Sequence, residues 1–430
     1  MNNASKLNLA RKFPCAKEPE FLELRINRHY KNRVQDIWGG RNILHSLRPG
    51  PDAVQLMSND YLALSNHPDI LRTQGEALLT EGGSMLMSAV FLHDDSPQHR
   101  FERRLAHFMG AECGILCQSG WCANTGLIQS IADEHTPVYI DMLAHMSLWE
   151  GGRSASAPAV TFHHNDPDHL ERQILKHGPG VIVVDSVYST NGSVCPLKDI
   201  VNIGTVHGCA LVVDESHSLG THGVHGEGLV SSLGLGDRVH FRTASLAKTF
   251  AGRAGFITCA ERFIDYFKFE SNPAIFSSTL LPHEVAGLDA TLSVIRSEGW
   301  RRERLRANVE YLRPRLDELG YNLNSSASQI ISLESGTEQK TIQLKEALET
   351  RGIFGSIFCA PATPKSRAII RFSINSELTK SELDRIVHVC HEIREEVGLA
   401  SWPSTRRKRN AKLTTYAAHV SPERNEAVLA

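Results

Sequence analysis

Five short apolar runs, Gly114 to Cys117, Val138 to Ile140, Val181 to Val184, Leu211 to Val213 and Val239 to Phe241, are followed by residues able to do chemistry. The followers are Ser119-Gly120-Trp121, Asp141 with His145, Asp185, Asp214 with His217, and Ser245 with Lys248. Ligands of parallel α/β sheets bind outside the carboxyl ends of the strands, so this set is an unbiased list of candidates. It holds the residue types needed to grip one charged heterocycle and its phosphate. Asp214 closes an apolar strand, so its carboxylate needs a cation or several donors to stay ionised. A protonated pyridine nitrogen would serve, and so would the N–H groups of the following turn. His217 could lean on the same ring or stand on the surface of a glycine-rich loop. Lys248 lies where little other charge is found, and is either a solvated side chain or an amine able to form a Schiff base. Ser119-Gly120-Trp121 brings backbone N–H groups to the start of a helix from Cys122, which suits an anion or simply a strand-to-helix turn. Each signal is weak alone, and only the combination is informative.

Two rival sites compete for the same residues. Leu211-Val212-Val213-Asp214-Glu215 resembles the acidic strand of P-loop nucleotide hydrolases, yet the chain has no Gly-Lys dipeptide and so no phosphate loop of that kind. Asp214, His217, His222 and His225 could ligate zinc. The intervening Gly220, Gly223 and Gly226 leave that loop poorly constrained, and a metal explains neither Lys248 nor Ser119-Gly120, so zinc is the minor reading and no metal is assigned.

The elements that must position these residues can be read from periodicity. Ser96 and Pro97 open a helix whose Phe101, Leu105 and Phe108 share one face and which Gly110 stops, and Asp166-Pro167 opens another that ends at Gly178. Between such helices, short and wholly apolar runs are what strands buried on both faces look like. The fold class expected is α/β, a mostly parallel sheet flanked by helices, with a smaller C-terminal α+β domain. The divisions expected are an arm over 1–50 placed against a partner subunit, a large domain over 51–282, a connecting helix over 283–319, the small domain over 320–398 and a basic, solvated tail over 399–430.

The chain has 430 residues, 41% of them hydrophobic, and a net charge of −2, so nothing in its balance draws it to nucleic acid. From Ser401 onward six basic residues face two acidic ones, and the run Arg406-Arg407-Lys408-Arg409 lies among Ser, Thr, Pro and Asn without apolar periodicity. No apolar run reaches the roughly 18 residues of a membrane helix and residues 1–16 lack a signal-peptide core, so a cytoplasmic protein with no membrane span is expected. Nine cysteines without a CxxC pair argue against a zinc ribbon or a disulfide framework.

Several separated motifs, in order and spacing, resemble the α-oxoamine synthases, fold type I enzymes dependent on pyridoxal 5′-phosphate (PLP). They are Ser58-Asn59-Asp60-Tyr61-Leu62-Ala63-Leu64, Asp214-Glu215-Ser216-His217, Ser245-Leu246-Ala247-Lys248, Phe276-Ser277-Ser278-Thr279 and Arg371-Phe372-Ser373-Ile374, and the likeness covers about residues 50 to 398. Gln118-Ser119-Gly120-Trp121, the segment Ala144 to Gly151 and the segment Thr243 to Phe250 are similar to one branch, the α-hydroxyketone autoinducer synthases of bacterial quorum sensing. Housekeeping members carry a glycine-rich stretch ending in Ser-Arg. Here that stretch is Gly83-Ser84-Met85-Leu86-Met87-Ser88, which suits a more apolar substrate.

The resemblance implies roles. Lys248 would bind the cofactor covalently and then act as base, Asp214 would keep the pyridine nitrogen protonated, His145 would stack on the ring, and His217 would hydrogen-bond the phenolic oxygen. Ser119, Gly120, Trp121 and Ser245 would hold the phosphate together with Thr279 from the neighbouring subunit of a homodimer, and Asn59 and Arg371 would position the amino substrate. The partners implied are a medium-chain acyl-CoA and an amino donor, S-adenosylmethionine or 2-aminobutyrate, joined into an α-aminoketone precursor. A housekeeping synthase of the 8-amino-7-oxononanoate, glycine C-acetyltransferase or serine palmitoyltransferase type is the enzymatic alternative. A non-catalytic partner subunit of the same fold is the other, and the presence of Lys248 argues against it.

Overall fold

A computed structural model describes residues 16–83 and 86–407. Its strands, in chain order, are β1 (Val54–Leu56), β2 (Cys113–Cys117), β3 (Val138–Asp141), β4 (Ala159–Phe162), β5 (Val181–Asp185), β6 (Ala210–Asp214), β7 (Phe241–Ser245), β8 (Gly255–Cys259), β9 (Ile330–Gly336), β10 (Ile353–Phe358) and β11 (Ala368–Ser373). A seven-stranded sheet runs in the order β2-β8-β7-β6-β5-β3-β4. Only β8 is antiparallel to its neighbours. Every residue of β3 and β5 is buried, the pattern of strands covered on both faces. One hydrophobic cluster packs Leu127, Ile140, Val183 and Val212 on one face of the sheet. Another carries Tyr139, Ile182, Leu211 and Val213 on the other and runs on into the C-terminal part of the chain.

The strand expected at Val239 to Phe241 lies further on, at Phe241–Ser245. Its interior holds Arg242 and Thr243, buried but polar, which hides it from a search for apolar runs. Arg242 is neutralised by Glu215 at 3.9 Å and held by Ser231 Oγ at 2.7 Å. The helix after Ser119 begins two residues earlier than expected, at Gly120, because Ser119 Oγ caps it by accepting from Cys122 N–H at 3.1 Å. The long helix expected before Tyr321 is two, Pro282–Ser297 and Trp300–Glu318, parted at Glu298-Gly299, where Glu298 binds Arg301 Nε at 2.6 Å and His67 at 3.2 Å.

The smaller sheet has the order β1-β10-β11-β9, with β1 parallel to β10. Thus Val54–Leu56, read from sequence as part of the large unit, pairs across some three hundred residues. The chain before it is tied to the helix Glu338–Glu349: Trp38 Nε1 donates to Glu338 Oε2 at 2.7 Å and Arg33 pairs with Glu338 at 3.1 Å. The solvated tail expected from 399 is corrected at its start. Trp402 is 1% exposed and donates from Nε1 to Val397 O at 2.9 Å, with Tyr321 edge-on at 5.8 Å, and Asn322 binds Ser404 O. Lys408, Arg409 and the rest of the basic segment lie outside the described residues. Trp402→Ala is therefore expected to destabilise the chain by about 3–5 kcal/mol in denaturant unfolding. A chain ending at Arg407 keeps all these contacts and should unfold like the full one.

Among the described residues no helix is long and apolar enough to cross a membrane.

Candidate active site

The candidate residues sit where the strand-end rule puts them. Asp214 ends β6 and is 4% exposed. Its Oδ1 accepts from Ser216 N–H at 2.8 Å and its Oδ2 from Asn124 Nδ2 at 2.7 Å. Asn124 is itself oriented, because its Oδ1 accepts from Thr243 Oγ1 at 2.6 Å and its Nδ2 also reaches Ser147 Oγ at 2.8 Å. Asp185 lies in register with Asp214 on the neighbouring strand and accepts from His145 N–H at 2.9 Å. Burial, aided by the charge of Asp214, pushes the Asp185 carboxyl well above the usual range.

His145 caps the helix Met146–Ser154, with Nδ1 2.7 Å from Ser147 Oγ, and Trp121 meets its ring edge-on at 6.3 Å. Burial lowers its pKa, Asp214 pulls it back up and Lys248 depresses it further. His217 is 3% exposed, and its Nδ1 meets Tyr61 Oη at 2.7 Å. Its pKa falls well below 6.5, through burial first and then through the charges of Lys248, Arg371 and His145. Lys248, on the loop after β7, is lowered by burial and by Arg371 against the opposing pull of Asp214. Burial thus shifts this amine toward its neutral, nucleophilic form. Lys248 lines one cleft with Asn59, the partner of Arg371 Nη2.

Arg371, on β11, brings the small sheet to the same space. Its Nη2 donates to Asn59 Oδ1 at 2.9 Å and its Nη1 to Ser189 O at 2.8 Å, while its buried Nε has no partner. At the amino end of the site a Cβ built on Gly120 would lie 2.5 Å from Ser245 Cβ, so backbone meets backbone with nothing between. The first N–H groups of that helix, at Gly120 and Trp121, have no helical acceptor and can face an anion. Thr279 is placed otherwise: its Oγ1 donates to Gln98 Oε1 at 2.7 Å and its N–H to Met87 O, and within one chain no contact among the described residues ties it to Lys248. A cleft of about 440 Å³ opens beside Lys248 and is lined also by Asn59, Gln74, Arg253 and His283. Among the described residues no three His, Cys, Asp or Glu side chains gather to hold a metal.

Tyr61, Asn124 and Gln329, whose Nε2 donates to His217 O at 2.7 Å, belong to the site and were not singled out from sequence. A buried Asn in the apolar helix Gly120–Ile131 was the available signal, since such a side chain requires a polar partner.

Buried His217 gives a prediction of its own. Its folded-state pKa lies below its unfolded value of 6.5, so below about that pH the unfolded chain binds more protons and stability falls as pH drops. The slope is at most about 1.4 kcal/mol per pH unit for one group. In cofactor-free protein, melting temperature from pH 7.5 to 5.5 should fall less steeply for His217→Asn than for the unaltered chain.

The seven-stranded sheet, with buried Asp214 closing β6 and Lys248 on the loop after β7, has the architecture of a fold type I PLP-dependent transferase. The chain belongs to the aminotransferase class I and II family, whose model matches residues 51–389. It is 46% identical over 374 residues to the CAI-1 autoinducer synthase of Vibrio campbellii, covering 87% of this chain and 95% of that one. It is 30% identical to 8-amino-7-oxononanoate synthase 1 of Bacillus subtilis over 393 residues, 89% of this chain and 99% of the relative. In fold it matches a PLP-bearing serine palmitoyltransferase from S. paucimobilis with a TM-score of 0.79 at 24% identity, over 88% of this chain and 98% of the other. The chain is a PLP-dependent acyltransferase of the α-oxoamine synthase type.

The residues present fit the cofactor. Among the described residues the buried Asp214 carboxylate meets two donors and the buried Arg371 Nε has no partner, and Gly120 and Ser245 form a cradle that a side chain would fill.

Proposed function

We propose that this enzyme joins the acyl group of a medium-chain acyl-CoA to Cα of an amino donor, S-adenosylmethionine or 2-aminobutyrate, giving the α-aminoketone precursor of an α-hydroxyketone autoinducer. The observation that carries this reading is the 46% identity, along nearly its whole length, to the CAI-1 autoinducer synthase of Vibrio campbellii. Identities near 30% to 8-amino-7-oxononanoate synthases make the housekeeping alternative the weaker one.

Bound PLP supplies an electron sink for the pair left on Cα when its proton departs. Lys248 is the attachment point and, once free, the base that takes that proton. Asp214 would hold a proton on the ring nitrogen, His145 would cover the ring face and His217 would bind the phenolic oxygen. Ser119, Gly120, Trp121 and Ser245 would hold the phosphate, joined by Thr279 from a second copy of the chain in a homodimer. Arg371, steadied by Asn59, binds the donor carboxylate. The new bond joins Cα to the acyl carbon, the C–S bond breaks, and the sulfur leaves as CoA thiol with one proton. Loss of the donor carboxyl as carbon dioxide leaves an electron pair on Cα, which takes up one proton to give the aminoketone.

Mass spectrometry of the product formed from mixed acyl-CoAs and amino donors tests both substrates together. An acylated aminoketone from S-adenosylmethionine or 2-aminobutyrate is expected, and turnover restricted to alanine, glycine or serine would reverse the assignment.

A further inference from the structure

The cleft beside Lys248 is lined by side chains that the reaction above does not use. Leu246 N–H donates to Ala254 O at 2.9 Å and Ala251 N–H to Lys248 O at 2.9 Å, so residues 246 to 254 form one loop closed at its base. That loop turns both Lys248 and Arg253 into the same cleft. Arg253 is exposed, and among the described residues it makes neither hydrogen bond nor ion pair. Facing the cleft from the first turn of Pro282–Ser297 is His283, whose buried Nδ1 has no partner among the described residues. Two acidic side chains also line the cleft, but both are committed to backbone. Asp60 accepts from the N–H groups of Leu64 and Ser65 at 2.8 Å each, and Glu284 from Leu281 N–H at 2.9 Å. Beside the reactive amine the cleft therefore offers a guanidinium that pairs with no carboxylate and an imidazole nitrogen with no partner among the described residues.

We propose that Arg253, with His283, receives a phosphate of the phosphopantetheine-type carrier whose thioester reacts at Lys248. The proposal deepens the acyl-transfer reading and rests on it. A guanidinium matches phosphate oxygens with two N–H donors, and a phosphate far from the reacting carbon contributes to binding rather than to the chemical step.

The test compares three thioesters of one acyl chain: decanoyl-CoA, decanoyl-4′-phosphopantetheine and decanoyl-pantetheine, the last lacking every phosphate. Arg253→Ala should raise KM for decanoyl-CoA about tenfold, as expected for a lost charged hydrogen bond, with KM for decanoyl-pantetheine unmoved. Arg253→Lys should recover part of the loss. A shift that persists with decanoyl-4′-phosphopantetheine assigns the phosphate shared by CoA and carrier-protein thioesters, and one that vanishes assigns the phosphates of the nucleotide half. Equal shifts for all three thioesters, or none, overturn the site. Calorimetric titration of CoA into the PLP-loaded enzyme separates the two layers of argument. If the unaltered enzyme binds CoA and releases it from decanoyl-CoA while Arg253→Ala matches it, the phosphate site fails and acyl transfer stands. If the unaltered enzyme neither binds nor releases CoA, both fail.

Discussion

Lys248→Ala should lower turnover by about 10⁴-fold, the upper range for loss of a positioned proton-transfer group, and should abolish the visible absorbance of the PLP-loaded protein. Borohydride reduction of the unaltered enzyme followed by peptide mapping should find the cofactor on the peptide containing Lys248. The change is well suited to isolate chemistry from folding. Among the described residues the Lys248 ammonium makes no hydrogen bond or ion pair, and it sits half-buried on a loop, so its removal should cost at most about 1 kcal/mol. Removing its charge also relieves His217 and His145, both of which it pushes toward the neutral form. The variant should therefore resist acid slightly better than the parent when both are cofactor-free. Turnover within tenfold of the parent, or a label on another peptide, would overturn the assignment.

Lys248, Asp214, His145 and His217 were legible in the sequence because a parallel sheet makes function local to strand ends, and β3, β5 and β6 announce themselves as apolar runs of three or four residues, each closed by an aspartate. What supports them was not legible. Tyr61 meets His217 across 156 positions and Arg371 meets Asn59 across 312, and no periodicity within a segment encodes such pairings. The same holds for β1, whose three residues are too few to give a pattern and whose partner β10 lies about three hundred positions on. β10 itself has a glycine between Phe354 and Ser356, and that glycine allows Ile370 and Phe372 to pack closely against it. A glycine in that position weakens a strand signal in sequence even though it is what the packing requires. Trp402 was hidden for a different reason: one apolar residue beside a basic, polar run reads as solvated, and only the hollow beside Tyr321 makes it core. Thr279 shows the limit from the other side, since its likeness to a cross-subunit phosphate segment concerns a neighbour that a single chain does not contain.

Asp214→Asn tests the electrostatic half of the site. The side chain keeps its size, but an amide cannot accept from both present donors. Thr243 Oγ1 donates to Asn124 Oδ1 and so fixes which way Asn124 faces, leaving Nδ2 pointed at Asp214 Oδ2, while Ser216 N–H addresses Oδ1. Whichever way an amide at 214 turns, its NH₂ faces another donor, at a cost of about 1–3 kcal/mol in stability. The larger loss is catalytic, because nothing then holds a proton on the ring nitrogen and the electron pair on Cα loses its sink. Removal of one preorganised charge of this kind is worth about 10²–10³ in turnover. Cofactor attachment depends on Lys248 rather than on this carboxylate, so the variant should still colour with PLP and still be trapped by borohydride. Asn124→Ala separates the two effects: it keeps the carboxylate, removes one of its donors and should slow turnover by no more than about tenfold, the worth of a single hydrogen bond. If Asp214→Asn turned over like the parent, or if Asn124→Ala were as slow as Asp214→Asn, the carboxylate would be a turn cap and the ring would take its proton from elsewhere.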